Sequence, residues 1–223
     1  MKLFQEILLD SQVISLYKKL ETVGNEYYAT HDLSHIMNVV DISERIAQVL
    51  NLPKQDIENI KIAALLHDIG LATGEHLNQK ENHAERSAVW AESYLEKFEL
   101  DKSIISDIVE SIRFHGKGMD TIHSRILTFA DKLDINTARI TSSGLKVPGN
   151  RQYANLTGVD FEIVDNTLHV NFASNGKLDI DEMNEYYFTP KVLMSIVKLA
   201  EKFNLRHKTY IDNNPWELKG NDG

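Results

Sequence analysis

Cysteine is absent from this 223-residue chain, which excludes a disulfide framework, a thiolate metal site and a cysteine nucleophile. Proline is scarce, and no apolar run approaches the roughly 20 residues that a membrane span requires. An acidic residue, Glu6, comes too early for a secretory signal. The net charge is -9, and no cluster of Lys and Arg suits nucleic acid or an anionic membrane. We therefore expect a cytoplasmic protein that binds no nucleic acid and no membrane.

The most apolar segment of the chain is Ile60–Gly70, with the sequence IKIAALLHDIG. It predicts a helix that is apolar on nearly every side, and such a helix is usually buried. His67 and Asp68 stand at its end, and Gly70 is expected as a left-handed C-terminal cap. A buried carboxylate needs a positive partner, and a helix C-terminus also favours a cation. A metal ion is one candidate partner, and a hydrogen-bonded core histidine is the other.

Helical periodicity predicts further helices on both sides of this segment. We expect them over residues 3–23, from an Asp32 N-cap to about residue 50, after an Asn82–Glu85 capping box, after an Asp101 N-cap, and over residues 121–139. Each of the last four places a histidine or an aspartate among apolar neighbours: His35, His83, His115 and Asp131. Taken singly, each is more often a structural core residue.

The recurrence of these residues is what points to metal chemistry. Independent buried polar groups each need their own partner, whereas one or two cations satisfy all of them. Imidazole and carboxylate ligands without thiolate suit Fe, Mn, Zn, Co or Ni. Six protein ligands exceed what one catalytic ion takes with an open position, but they suffice for two ions that share a carboxylate. Two aspartates against two divalent cations leave excess positive charge, which favours an anionic substrate such as a phosphate ester.

The order of these residues resembles the HD superfamily of metal-dependent phosphohydrolases, with the motif H…HD…H…H…D on a helical bundle. The local contexts HDLSHIMNVV, AALLHDIG, NHAERSA, SIRFHG and LTFADKLD are similar as well, over roughly residues 30–140. The two middle histidines are similar to those of dinuclear branches, such as HD-GYP phosphodiesterases and HD-type dinucleoside tetraphosphatases. Leu71 stands where many HD-GYP proteins have lysine, and no GYP triplet is present. Both departures argue against hydrolysis of cyclic di-GMP.

The resemblance implies a ligand set and a reaction. His35, His67, Asp68 and Asp131 hold a first ion, Asp68 bridges, and His83 and His115 hold a second. A metal-bound hydroxide attacks the phosphorus of a nucleotide or a similar small phosphorylated substrate, so His67 and Asp68 are the expected catalytic residues.

Several basic and histidine residues near these motifs have either a role in the site or an ordinary surface role. Arg86, Lys117 and Lys132 are candidates for phosphate binding, and a solvated surface charge is the alternative for each. His31 fits a position behind the ligands, whereas His76 lies in a polar loop that favours a surface role.

The sequence changes character after Ile140. Residues 161–164 and 167–172 alternate around Asp165-Asn166 and predict a β-hairpin, followed by a helix capped by Thr189-Pro190 and a third strand over 207–212. We expect a mainly α fold: an HD-type helical domain over 1–147, a small hairpin-plus-helix subdomain over 148–215, and a loose tail over 216–223. The subdomain either covers one side of the site or forms a homodimer contact.

Two other functions share the ligand pattern. The same six residues resemble myo-inositol oxygenase and its HD relatives, in which a mixed-valent iron pair activates O₂. A regulatory module with structural metals is the third reading, although a complete ligand set argues against it. Phosphate release with Mn²⁺ set against O₂ uptake with Fe²⁺ separates the two enzymatic readings.

Overall fold

The computed structural model of this chain describes residues 2–21, 28–73, 82–116 and 121–217. The chain divides into two compact units, Met1–Glu26 with His31–Asp131 and Tyr27–Thr30 with Lys132–Gly223. The sequence predicts a boundary after residue 147. Within the described residues, no helix is both long enough and apolar enough to cross a bilayer. The predicted fold class is confirmed, because the described residues are mainly helical and a small β-sheet lies near the C-terminus.

The first unit is built from helices, and the last of them runs on into the second unit. They are α1 (Lys2–Leu8), α2 (Ser11–Glu21), α3 (Leu33–Val49), α4 (Lys54–Leu66), α5 (Gly70–Thr73), α6 (His83–Leu95), α7 (Lys102–Phe114) and α8 (Ile122–Leu133). The sequence predicts one helix over residues 3–23. Two form because the Asp10 carboxylate accepts a hydrogen bond from the Gln12 amide and starts α2 there.

Helix α4 forms the centre of the first unit, as its apolar sequence predicts. Residues 62–66 are all at most 1% exposed, and the helix packs against α1, α3 and α7. A helix surrounded in this way delivers the residues at its C-terminus, His67 and Asp68, into the interior.

Gly70 has a different role from the predicted left-handed cap. It opens α5 rather than closing α4, and it is not among the glycines with positive φ. A side chain at Gly70 would place its Cβ 2.4 Å from the carbonyl oxygen of His83 and 2.5 Å from the amide nitrogen of Ser87. Glycine is therefore required for the close approach of α6, which the local sequence did not reveal.

The predicted N-cap of α3 is present, whereas the predicted capping box of α6 is not. Asp32 caps α3 through its carboxylate, which accepts from the His35 amide at 3.1 Å. Asn82 adopts a left-handed conformation with φ 59° and makes no side-chain cap bond, so the predicted capping box is wrong. Glu85 instead accepts a hydrogen bond from Arg113 of α7.

Helix α8 ends earlier than expected. It stops at Leu133 rather than near residue 139, and a short 3-10 turn follows at Thr137–Arg139. Asn136 caps this turn and donates to Asp134, so the two polar side chains compete with helix continuation. Asp131 consequently lies in the last turn of α8, not in mid-helix.

The second unit contains a four-stranded sheet in the order β1-β2-β3-β4. Its elements are 3-10 turns at Gly144–Lys146 and Asn150–Asn155, then β1 (Leu156–Val164), β2 (Thr167–Ser174), α9 (Ile180–Asn184), α10 (Thr189–Lys202), β3 (Arg206–Ile211) and β4 (Asn214–Pro215). The predicted hairpin is present, and its two turn residues, Asp165 and Asn166, both have positive φ. Strand β3 pairs parallel to β2 after the α10 crossover.

The sequence predicts a loose tail over 216–223, but the first residue of that tail is packed. Residue Trp216 is 3% exposed, and its indole nitrogen donates to Asn184 at 2.9 Å. Strand β4 precedes it and pairs with β3. Residues 218–223 lie outside the described part of the chain.

Candidate metal centre

The predicted ligands all lie within one turn of a helix end. His35 is in the first turn of α3, and His83 begins α6. His67 and Asp68 follow α4, His115 follows α7, and Asp131 is in the last turn of α8. All six belong to the first unit.

One group of donor atoms surrounds Oδ2 of Asp68. The Nε2 atoms of His35 and His67 lie 3.6 and 3.4 Å from it. The same two nitrogens lie 3.5 and 3.8 Å from Oδ1 of Asp131. These separations are too long for good hydrogen bonds, but they suit ligands that each approach a common ion at about 2.0–2.2 Å.

A second group faces the other oxygen of the same carboxylate. The Nε2 atoms of His83 and His115 lie 3.4 and 3.9 Å from Oδ1 of Asp68, and 3.3 Å from each other. Asp68 therefore presents one oxygen to each group of donors. The structure brings together all six residues that the sequence singled out.

Two of the histidines are oriented by the carbonyl groups at helix ends. Nδ1 of His67 donates to the Ala64 carbonyl at 2.8 Å, and Nδ1 of His115 donates to the Ile112 carbonyl at 2.6 Å. Because the last carbonyls of a helix have no amide partner within it, they are available to accept these protons. When such a ring is neutral, the proton on Nδ1 leaves the Nε2 lone pair directed at the centre, as a metal ligand requires.

The two buried aspartates of the centre favour positive charge beside them. Burial acts to raise the pKa of Asp68, but the neighbouring His67 and His31 rings hold that pKa well below its usual range. Burial acts to lower the pKa of His67, but Asp68 and Asp131 outweigh it and raise the pKa to about 10. Burial, with the charge on His67, lowers the pKa of His115 to about 3.

The donors fit a divalent cation. Within the described part of the chain, Nε2 of His67 is fully buried and has no hydrogen-bond partner. A buried polar atom of this kind is costly unless something binds it. Imidazole and carboxylate without thiolate is a borderline-to-hard donor set, which suits Fe, Mn, Zn, Co or Ni.

His31 lies closer to the centre than the sequence could establish. Its Nδ1 is 2.7 Å from Oδ2 of Asp68, and its ring meets that of His35 edge to face. The six-residue pattern inferred from the sequence does not include it. The remaining signal was its position four residues before His35, in the segment that precedes α3.

Helix α6 is fastened to the turn that carries the His-Asp pair. The Gly70 amide donates to Oγ of Ser87 at 2.9 Å, and Nε of Arg86 donates to the Gly70 carbonyl at 3.0 Å. This clamp fixes His83, at the start of α6, relative to His67 and Asp68.

The predicted phosphate-binding residues are placed as follows. Arg86 is half-buried and uses its Nε in the clamp on Gly70. Lys132 has its ammonium 5.5 Å from the ring centroid of Phe188, within the second unit. Lys117 and His76 lie outside the described residues. Phosphate binding by these side chains stays a prediction.

Histidine and aspartate side chains from several helix ends converge on one buried centre. The protein is therefore of the class in which a helical domain can hold divalent cations. Residues 32–136 match the family model of the HD domain. The resemblance inferred from the sequence is confirmed. A solved structure described as a predicted HD superfamily hydrolase, from an uncultured Thermotogales bacterium, is similar with 24% sequence identity and a TM-score of 0.46. That similarity covers 60% of this chain and 80% of the other. No curated protein matches this chain.

Proposed function

We propose that this protein is a metal-dependent phosphohydrolase. Its substrate would be a phosphate ester or anhydride of a nucleotide or a similar small phosphorylated molecule. The observation that carries the proposal is the division of the Asp68 carboxylate. Its Oδ2 lies beside the His35 and His67 nitrogens, which Asp131 also faces, and its Oδ1 lies beside His83 and His115. A carboxylate divided in this way suits a bridging ligand between two ions.

The charge of the centre supports an anionic substrate. Two aspartates against two divalent cations leave a net positive charge, which attracts phosphate. Bound divalent cations would supply a water of lowered pKa and would neutralise charge that develops on phosphate oxygens.

The histidines of the centre are held in place by the backbone, and one side of the centre is open to solvent. His67 and His115 keep their Nδ1 protons on backbone carbonyls, so their Nε2 atoms stay directed inward without rearrangement. Exposure differs across the site, because the His67 side chain is 0% exposed and that of His83 is 30% exposed. Solvent therefore reaches the centre on the His83 side, and a substrate would enter there.

The test combines metal content with a phosphate-release screen. Purified protein is stripped with a chelator, reloaded separately with Mn²⁺, Fe²⁺, Co²⁺, Ni²⁺ or Zn²⁺, and incubated with nucleotides, dinucleoside polyphosphates and an aryl phosphate. We expect phosphate release with at least one metal and loss of it in His67→Ala. A matched control is His123→Ala, since His123 also lies near an aspartate, Asp56, but in the first turn of α8, away from the ligand cluster.

Two outcomes would overturn the proposal. O₂ consumption by the Fe²⁺-loaded protein, without phosphate release by any metal form, would instead support an oxygenase. Inactivity over both panels, with full metal content, would support a regulatory module in which the metals are structural.

A further inference from the structure

His31 contacts the proposed bridging carboxylate but differs from the ligands in its geometry. Its Nδ1 lies 2.7 Å from Oδ2 of Asp68, whereas the Nε2 atoms of the six-residue set lie 3.4–3.9 Å from the Asp68 oxygens. Ligands that approach one ion at about 2.0–2.2 Å are normally separated by roughly 3 Å or more. A separation of 2.7 Å is instead typical of a charge-assisted hydrogen bond.

The direction of this hydrogen bond follows from its partners. An ionised carboxylate can only accept, so the His31 Nδ1 atom carries the proton and donates it. Asp68 is 3% exposed in its side chain and His31 is 17% exposed, so water competes little for the bond. His31 therefore acts on Asp68 from outside the two donor groups.

Restraint of Asp68 has a consequence for the second group of donors. Oδ2 is held toward His31, His35 and His67, which leaves Oδ1 directed at His83 and His115. A carboxylate released from His31 could rotate and offer both oxygens to one ion. The first group would still have Asp131, but the second group has no other carboxylate among the residues of the HD-type motif that the structure describes.

We propose that His31 is a positioning residue that holds Asp68 in its bridging orientation, so that the chain binds a second divalent ion. This inference rests on the proposed metal centre. It assigns to His31 a role that the six-residue motif does not include.

The test uses three substitutions that separate the two ring nitrogens. His31→Asn keeps an N–H donor near the position of Nδ1, His31→Gln places its donor near Nε2, and His31→Leu removes both. Each full-length protein is stripped and titrated with Mn²⁺ alone, and the number and affinity of bound ions are measured by calorimetry and elemental analysis. Thermal unfolding followed by circular dichroism checks that each variant is folded.

We expect His31→Leu and His31→Gln to weaken the second Mn²⁺ by about 10- to 100-fold, the usual effect of removing a partner of a metal ligand. The first ion should change less, and His31→Asn should remain near wild type. The control His123→Leu should bind as wild type does. Two ions of unchanged affinity in His31→Leu, rescue by Gln rather than Asn, or equal weakening of both ions would each overturn the role of His31.

The phosphate-release screen distinguishes the two proposals. If the wild type binds two ions and releases phosphate while all His31 variants do the same, His31 has no positioning role but the enzyme assignment stands. If the wild type binds no more than one Mn²⁺, the bridging role and the action of His31 both fail. Two bound ions lost on His31→Leu, without any hydrolysis, would support the positioning role and refute the hydrolase.

Discussion

Gly70→Ala tests whether the approach of α6 to the His-Asp turn requires glycine. The added Cβ would lie 2.4 Å from the His83 carbonyl oxygen, 2.5 Å from the Ser87 amide nitrogen and 2.7 Å from Ser87 Oγ. Two of these atoms belong to the backbone of α6, so no side-chain rotation relieves the contact. The helix must move, and the clamp formed by Ser87 and Arg86 on Gly70 must lengthen.

The expected cost follows from these contacts. Overpacking of one methyl group against a rigid neighbour costs about 1–3 kcal/mol, and loss of the Gly70–Ser87 hydrogen bond adds about 1 kcal/mol. A total of about 2–4 kcal/mol corresponds to a fall in melting temperature of roughly 4–16 °C for a chain of this size.

The assay is thermal and urea unfolding, with Gly158→Ala as the matched control. Gly158 lies in β1, and a Cβ built there meets nothing within 4 Å. The same chemical change at that position should leave stability unchanged or raise it by about 0.4–1 kcal/mol, because alanine restricts the unfolded chain. Displacement of His83 should also weaken the second metal ion. Equal stability of the two variants would refute the argument that α6 packs directly on Gly70.

Three further predictions concern the metal ions and the second unit. Asp68→Ala should remove both metal and activity, whereas His83→Ala should lose about one equivalent; elemental analysis measures both, and full metal content in Asp68→Ala would contradict the bridge. Arg139 is 8% exposed, its guanidinium lies 4.0 Å from the buried Asp134 carboxylate, and it donates to the Asp134 and Thr30 carbonyls. Because Arg139→Ala would leave that carboxylate buried without its cation, it should destabilise by about 3–5 kcal/mol in urea unfolding. Hydrogen bonds from Arg151 and the Gly149 amide lower the pKa of Glu182 from 4.5 to about 2. A carboxylate whose pKa is lower in the folded than in the unfolded state stabilises the fold at pH values above the unfolded pKa. The contribution of Glu182 to stability should therefore be complete above about pH 4.5 and lost toward pH 2. Glu182→Gln should reduce that loss in melts at pH 3 and 6.

The sequence determined which residues are candidate ligands and which elements carry them. The apolar run before His67 required a buried helix, and that helix carried His67 and Asp68 inward. The Asp165-Asn166 pair between alternating segments determined the hairpin, because both residues tolerate positive φ. These features depend on neighbours within a few positions, so periodicity and turn chemistry were sufficient to predict them.

Only the tertiary structure decided how the candidate ligands are arranged. The need for glycine at Gly70 comes from Ser87, the restraint on Asp68 comes from His31, and the division of the Asp68 oxygens depends on α3, α6, α7 and α8 together. Local sequence contains no signal for these contacts, because each joins atoms of residues that are distant along the chain. The number of ions that the centre can hold follows from separations of a few ångströms, which helix packing determines.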